Sequence, residues 1–207
     1  MSSRRVFCVA AAALVPARLW AQSASALLAD VRARLATEPV VRGSFEQRKT
    51  VQGFRNPLLS TGDFVVSRQR GVLWRTVSPF ASTLVVTPDR VVSRQADGTL
   101  ARRLNANDEP AVRAVSETLF AVMSADLAAL AQRFRIDGEL VGAEGWRLQL
   151  LPREPALARW LQRADLEGDR HLRVVRLQEG GGDSTQIRLA GHSTARALTA
   201  EEEARFE

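Results

Sequence analysis

The stretch from Gly62 to Trp74, GDFVVSRQRGVLW, decides the fold class because its side chains repeat with a period of two on both sides of a turn. Phe64 and Val66 share one face of the first run, and Val72 and Trp74 share one face of the second. The Gln-Arg-Gly tripeptide between the runs is typical of a tight turn. The stretch therefore predicts two antiparallel strands joined as a hairpin.

The same alternation continues on both sides of this hairpin and predicts further strands. They cover residues 41–46, 83–87, 134–141, 146–151, 172–178 and 185–190. Turn signals separate the early strands at intervals of about ten residues. Such short connections favour a sandwich, a barrel or a strongly curved antiparallel sheet over alternating strands and helices. Residues 156–162 fit either a helical turn or a strand.

Apolar residues at helical spacing predict a first helix and a helical insertion in the middle of the chain. The first helix carries Leu27, Leu28, Val31 and Leu35 and ends before Pro39.

The insertion begins with Asp108 as a cap and Pro110 in the first turn. Its apolar stripe consists of Val112, Val115, Leu119, Val122 and Met123. We expect Ser124 to cap a second short helix over residues 125–132, with an apolar side formed by Leu127 and Leu130.

Residues 1–21 are predicted to be an export signal. Arg4 and Arg5 precede ten apolar residues, and small residues follow up to Ala21. Ten apolar residues are too few to span a bilayer. Cleavage after Ala21 is expected, with Ala24-Ser25-Ala26 as an alternative site, and residues 22–207 then form a single domain. The ordinary secretory route is favoured over the twin-arginine route, and both lead out of the cytoplasm.

The composition is that of a globular protein, with 45% hydrophobic and 25% charged residues in 207. Without residues 1–21, 26 basic side chains stand against 23 acidic ones, a net charge of +3 that gives little reason to expect a nucleic-acid partner. The sole cysteine, Cys8, lies in the predicted signal. The processed chain is therefore expected to fold without disulfides or thiol chemistry.

Catalytic and metal-binding motifs are scarce. The two histidines, His171 and His192, fit no metal-ligand spacing. Ser184 follows a glycine-rich segment and could in principle join His192 and Asp169 in a hydrolytic triad, but it lies in a hairpin connection and not on a strand-to-helix elbow. The sequence therefore predicts neither an enzyme nor a cofactor.

The end of the chain carries a helix-start signal. Thr199 and Glu202 have the spacing of a capping box, and the acidic run 201–203 is expected to be a solvated helix face.

Several segments, taken in order, resemble LolA-type periplasmic lipoprotein carriers. They are Ser44-Phe45-Glu46-Gln47, Gly62 to Arg68, Trp74, Thr83 to Asp89, Leu119 to Met123 and the late hairpin from His171 to Thr194. The likeness covers nearly the whole chain after the predicted signal. It departs from the family pattern at Gln69, where a proline is usual, and at the Pro88-Asp89-Arg90 turn.

The resemblance implies a mainly β fold: an open, strongly curved antiparallel half-barrel whose apolar concave face is covered by a helical lid. Period two places Phe64, Val66 and Arg68 on one face, and the resemblance implies that Arg68 latches the lid. We expect its acceptors to be backbone carbonyls near Met123 and Ser124. The alternative is that Arg68 is a solvated strand end. The predicted cargo-binding and lid residues are Phe64, Val66, Arg68, Trp74, Leu119, Phe120, Val122 and Met123.

The function that the resemblance implies is carriage of lipoproteins by their acyl chains from the inner to the outer membrane. The implied partners are an inner-membrane lipoprotein-release ABC transporter and an outer-membrane lipoprotein receptor, and the carrier is expected to be a periplasmic monomer. An apolar trough does not encode its ligand, so a LolA-like carrier or sensor for another lipid or lipid-linked product is the alternative.

Overall fold

A computed structural model describes residues 24–87, 90–105, 117–118 and 120–206. The predicted signal over residues 1–21, the beginning of the helical insertion with Asp108 and Pro110, and Leu119 lie outside the described residues.

Eleven strands and five helical segments make up the described part. The strands are β1 (Val40–Thr50), β2 (Leu58–Ser67), β3 (Gly71–Ser78), β4 (Ser82–Val86), β5 (Arg90–Gln95), β6 (Leu100–Asn105), β7 (Phe134–Val141), β8 (Gly145–Pro152), β9 (Leu161–Gly168), β10 (Leu172–Glu179) and β11 (Ser184–Ala195). The helices are α1 (Ala24–Arg34), α2 (residues 117–118 and 120–123), α3 (Leu127–Arg133), α4 (Pro155–Ala158) and α5 (Ala200–Arg205).

All eleven strands belong to one open antiparallel sheet in the order β6-β5-β4-β3-β2-β1-β11-β10-β9-β8-β7. Each half of the chain is a meander, and the two halves join where β1 pairs with β11. The predicted open antiparallel sheet is thus confirmed. The sequence did not assign β5, β6 or β9; residues 156–162, left open between helix and strand, contain the last part of α4 and the beginning of β9.

The connections between strands divide the molecule into two ends. Residues 35–39, 68–70, 142–144 and 169–171 lie at what we call the cavity end. The loops over residues 51–57, 79–81, 153–160 and 180–183 lie at the opposite end, which we call the rim end.

One hydrophobic core fills the space between the concave face of the sheet and the helices. Strands from both halves contribute Phe45, Phe64, Val66, Val72, Val86, Ile136, Trp146, Leu148, Leu150, Ala164, Leu166, Val175 and Leu189. The first three helices contribute Leu27, Val31, Ala121, Val122, Leu127 and Leu130. The predicted apolar sides of the helices are therefore confirmed at the described positions, and both halves of the sheet bury the same face against them.

The cap of α3 differs from the sequence prediction. Asp126, not Ser124, caps this helix, because its carboxylate accepts from the backbone N–H groups of Ala128 and Ala129. The Ser124 hydroxyl instead donates to the Phe120 carbonyl at 2.7 Å. The predicted capping box at the beginning of α5 is present between Thr199 and Glu202.

Helix α5 covers part of the convex face of the sheet. Phe206, just after the helix, is buried against Leu73, Val85 and Val92, which form a second small core. Glu202 accepts two hydrogen bonds of 2.6 Å from Arg42 on β1. The expectation of a solvated acidic face is therefore wrong for Glu202, whose side chain is only 15% exposed.

The ion pair ties the stability of α5 to pH. The Arg42 guanidinium lowers the pKa of Glu202 to about 2, below its ordinary 4.5. A carboxyl group whose pKa is lower in the folded than in the unfolded state stabilises the fold when the pH is above its unfolded-state pKa. For Glu202 this contribution is lost as the pH falls from 4.5 towards 2.

We predict that Glu202→Gln lowers the free energy of unfolding by about 1–3 kcal/mol at pH 7, and by much less at pH 2.5, because the unfolded chain then gains stability by binding a proton at Glu202. Urea unfolding at both pH values measures the difference. Glu203→Gln is the matched control, since Glu203 is exposed on the same helix. An equal effect of both substitutions at pH 7 would contradict the role of the Arg42 pair.

Candidate functional site

A small cavity lies between the concave face of the sheet, the segment after α1 and the turn between α2 and α3. Its volume is about 40 Å³. Its apolar lining includes Leu35, Val41, Phe64, Val66, Met123, Leu172 and Leu189. Its polar lining consists of Arg68, Ser124, Arg170, His171 and His192. We call it the inner cavity.

Three of the predicted site residues lie on the sheet face that the helices cover. Phe64 and Val66 are each 3% exposed and line the inner cavity. Trp74 is half-buried and stacks on Phe45 with ring centroids 3.8 Å apart. It packs against the core next to Phe64 but does not line the cavity.

The predicted lid residues are brought to the same core by α2. Val122 is buried, and Phe120 and Met123 are half-buried against the core. Met123 lines the inner cavity as well. The prediction for Leu119 falls outside the described residues.

Arg68 follows β2 and lies at the mouth of the inner cavity. Its Nη2 donates to the Ala36 carbonyl at 2.8 Å and its Nε to the Glu38 carbonyl at 3.3 Å. The prediction that its acceptors belong to the end of the lid helix is therefore wrong. The guanidinium reaches the segment between α1 and β1 because β1 and β2 are paired, so that Ser67 lies opposite Val40.

Two histidines form a polar wall of the inner cavity that the sequence did not assign to a site. His171 and His192 stack with ring centroids 4.8 Å apart, and Arg173 Nη1 lies 2.9 Å from His192 Nδ1. The pairing of β10 with β11 brings the two rings together. Predicting the register of this hairpin from the sequence would have placed them side by side. Burial, together with the positive charge of Arg173, lowers the pKa of His192 to about 4.

Two buried polar atoms near this wall stand out. Among the described residues, His171 Nε2 and Glu38 Oε2 are buried without a hydrogen-bond partner. Burial also lowers the pKa of His171. Unsatisfied buried groups cost stability, and they often mark a functional site.

A larger groove opens between α1 and α3 next to the inner cavity. Its volume is about 480 Å³. It is lined by Leu28, Arg32, Leu35, Ala36, Ala125, Leu127 and Ala131, with Arg68 between the two spaces. The groove and the inner cavity therefore meet at the same guanidinium.

The candidate hydrolytic triad is not assembled. Ser184 and His192 lie at opposite ends of β11, eight residues apart, which is roughly 25 Å along a strand. His192 contacts Arg173, and the Asp169 carboxylate accepts a hydrogen bond of 3.0 Å from Nε of the same arginine. Within the described residues there is also no group of three or more metal-ligating side chains.

The sequence matches the family model for outer membrane lipoprotein carrier protein LolA-like over residues 21–206. The chain belongs to this LolA-like family. The match covers almost all of the chain, as the order of motifs along the sequence predicted. No curated protein sequence matches this LolA-like chain.

Several solved structures are similar in shape to this LolA-like protein. A LolA superfamily protein from Nitrosomonas europaea is 7% identical, with 86% of this chain and 96% of that chain covered and a TM-score of 0.47. An outer membrane lipoprotein-sorting protein domain from Vibrio parahaemolyticus is 9% identical, with 87% and 96% covered and a TM-score of 0.47. A chain of the MucA/MucB complex of Pseudomonas aeruginosa is 15% identical, with 84% of this chain and 59% of that chain covered and a TM-score of 0.41. Family membership rests on the sequence match and not on these values.

The described helices of the LolA-like chain have at most 11 residues. In the part of the chain that the structure describes, none is both long and apolar enough to cross a membrane.

The histidine wall makes stability depend on pH in mildly acidic solution. Because the folded-state pKa of His192 is about 4 and its ordinary value is 6.5, the unfolded chain binds the proton first as the pH falls. The stabilising effect of the neutral ring is complete above pH 6.5 and is lost as the pH falls towards 4.

We predict that between pH 6.5 and 4 the wild type loses on the order of 1–3 kcal/mol more unfolding free energy than His192→Gln, which cannot titrate. Urea unfolding across this range measures the difference, and the comparison cancels the titration of shared carboxylates. Parallel pH profiles for the two proteins would contradict the prediction.

Proposed function

We propose that this protein is a carrier that binds the acyl chains of lipoproteins and moves them from the inner to the outer membrane. One observation supports the proposal most: an open sheet packs its apolar face against short helices, two of which form a hairpin beside a groove. An acyl chain has the same chemistry as the side chains that fill this interior, and it could replace them when the helices move.

The size of the inner cavity implies that the cargo displaces part of the cover. A ligand site for a molecule of this kind needs about 300 Å³ or more, and the inner cavity offers about 40 Å³. Burying about 14 methylenes would contribute on the order of 11 kcal/mol. Displacing the apolar side chains of the cover offsets part of this, so that the cargo remains releasable.

The hairpin of α2 and α3 is the element proposed to move. Arg133 on α3 forms an ion pair with Glu117 on α2, which joins the two helices far from their connecting turn. In that turn Ala125 has a φ of 49°, a left-handed conformation that is uncommon for residues other than glycine. The pair and the turn favour movement of the hairpin as one unit.

Arg68 is proposed to control the opening from the α1 side. It holds the carbonyls of Ala36 and Glu38, and both residues lie between α1 and β1. Loss of the guanidinium would free this segment and, with it, the wall between the inner cavity and the groove. Arg68 therefore keeps its proposed role as a latch, but it holds the segment that follows α1.

The surroundings of the carrier are proposed from the family. We propose a periplasmic monomer that receives cargo from an inner-membrane lipoprotein-release ABC transporter and delivers it to an outer-membrane lipoprotein receptor. Separation of Ser184 from His192 supports a binding role over acyl-ester hydrolysis.

We predict that Arg68→Leu accelerates both binding and release of a fluorescent long-chain fatty acid about fivefold or more, because the closed state loses two hydrogen bonds. Stopped-flow fluorescence measures both rates. Arg170→Leu is the matched control, since Arg170 lines the same cavity but its side chain holds neither of these carbonyls. Rates that change equally in both variants, or in neither, would remove the latch from Arg68.

The cargo is tested by purifying the protein from the periplasm and identifying what co-purifies by mass spectrometry. Lipoproteins with a lipidated cysteine support the proposed function. Free lipids or another lipid-linked product would favour the alternative, a LolA-like carrier or sensor for a different lipid. A protein that neither carries lipid nor binds the fatty-acid probe would contradict both.

A further inference from the structure

Exposed apolar side chains are concentrated at the rim end of the sheet, opposite the inner cavity. Besides Leu100, six large ones lie there with more than half of their surface exposed: Phe54 (67%), Leu58 (56%), Leu59 (62%), Val77 (55%), Phe80 (83%) and Trp160 (68%). We call this set the apolar rim. Leu100 lies at the same end, at the beginning of β6. Among the described residues, the other exposed large hydrophobic side chain is Val141, at the cavity end and 37% exposed.

The loops of the apolar rim are neighbours in space and follow one another along the edge. The Trp160 carbonyl accepts the backbone N–H of Gly180, and the Asp183 carboxylate accepts that of Gln52. These bonds link the α4–β9 turn to the β10–β11 loop and that loop to the β1–β2 loop. The pairing of β2 with β3 then brings the β3–β4 loop alongside.

Cations flank the aromatic tips of the apolar rim. Arg55 follows Phe54 in the sequence, and Arg159 precedes Trp160. Within the described residues neither guanidinium has an ion-pair partner, and the same holds for Arg48 on neighbouring β1.

The acids at this end are only partly paired. Glu179 and Asp183 share Lys49, and Asp97 accepts two hydrogen bonds from Thr99. Asp97 and Glu154 are exposed carboxylates. The feature specific to the aromatic tips is therefore a guanidinium, unpaired within the described part of the chain, directly beside Phe54 and another beside Trp160.

We propose that the apolar rim docks the protein on the surface of a phospholipid bilayer. Phenylalanine, leucine and tryptophan with adjacent arginine side chains are the residues that partition into the headgroup region, where the ring is buried and the cation meets lipid phosphates. The tips lie on separate loops, and a fluid bilayer accommodates them without a complementary surface. A protein partner would have to match the shape of these separate tips, because the core of a protein interface is closely packed.

The docking surface is independent of the proposed cargo, because it lies at the other end of the sheet from the inner cavity. It can therefore be tested on pure lipid vesicles with no cargo present. Its failure would leave acyl-chain binding untouched, and failure of acyl-chain binding would leave docking untouched.

Trp160 is a built-in reporter for the test. In the processed chain, residues 22–207, Trp146 is buried and Trp74 is half-buried, so a fluorescence change on docking comes mainly from Trp160. With vesicles of phosphatidylethanolamine and phosphatidylglycerol we expect a blue shift of emission and quenching by brominated lipids. Trp160→Phe should abolish both signals while most of the sedimentation with vesicles remains.

The decisive comparison uses a double variant with a matched control. Phe54→Ser combined with Phe80→Ser is expected to lower the vesicle partition coefficient at least about tenfold, since two inserted rings are lost. Val141→Ser, which removes an exposed apolar side chain at the cavity end, is expected to change it less than about twofold. Equal urea midpoints show that all the variants remain folded.

Charge and competing occupants complete the test. Arg55→Gln combined with Arg159→Gln is expected to weaken binding to the anionic vesicles several-fold and to reduce its dependence on salt. Absence of wild-type binding at low salt would overturn the proposal, as would equal losses with Val141→Ser. If the wild type does not bind vesicles but forms a dimer, and the double variant is monomeric, the apolar rim binds a second copy of this chain instead.

Discussion

Burial of one apolar sheet face is the constraint on which the rest of the structure depends. The eleven strands form a single open layer, and the core residues of both halves point to the same side. A single layer cannot bury its own face, so other elements must cover it. Among the described residues the first three helices do so, with Leu130 and Val31 completely buried. The positions of α1, α2 and α3 follow from this requirement.

The same cover bears on the proposed binding of acyl chains. Tight packing stabilises the empty protein, but it leaves an inner cavity of only about 40 Å³. A cover made of short helices connected by turns can be displaced at a lower cost than a second sheet, whose hydrogen-bonded strands would have to move together. Arg68 and Ala125, in the turn between α2 and α3, line both the inner cavity and the groove beside it.

The sequence predicted most of the sheet because burial on one face leaves a period of two in the residues. It missed β9, where charged and polar residues flank Ala164 and Leu166 and the buried residues give only a weak signal. The cap of α3 was misassigned by two residues because Ser124 and Asp126 are both good caps and only the backbone path distinguishes them. Secondary structure is predicted correctly from the sequence where burial of one face alone determines the pattern of apolar residues.

The site was predictable only in part, since its polar contacts join segments that are distant in sequence. Phe64, Val66 and Met123 could be placed at the interior from periodicity alone. The acceptors of Arg68 and the stacking of His171 on His192 depend on which loops meet at one end of the sheet, and composition does not record that. Strand register carries this information, and it is available once pairing is known.

The seam between β1 and β11 has a consequence for how the fold is completed. Ten residue pairs join these strands, and they unite meanders from opposite ends of the chain. A chain that emerges amino-terminus first therefore holds β1 with one edge unpaired until β11, residues Ser184–Ala195 of 207, has emerged. The two meanders therefore cannot be joined before β11 has been made, and the edge of β1 stays open to other strands until then.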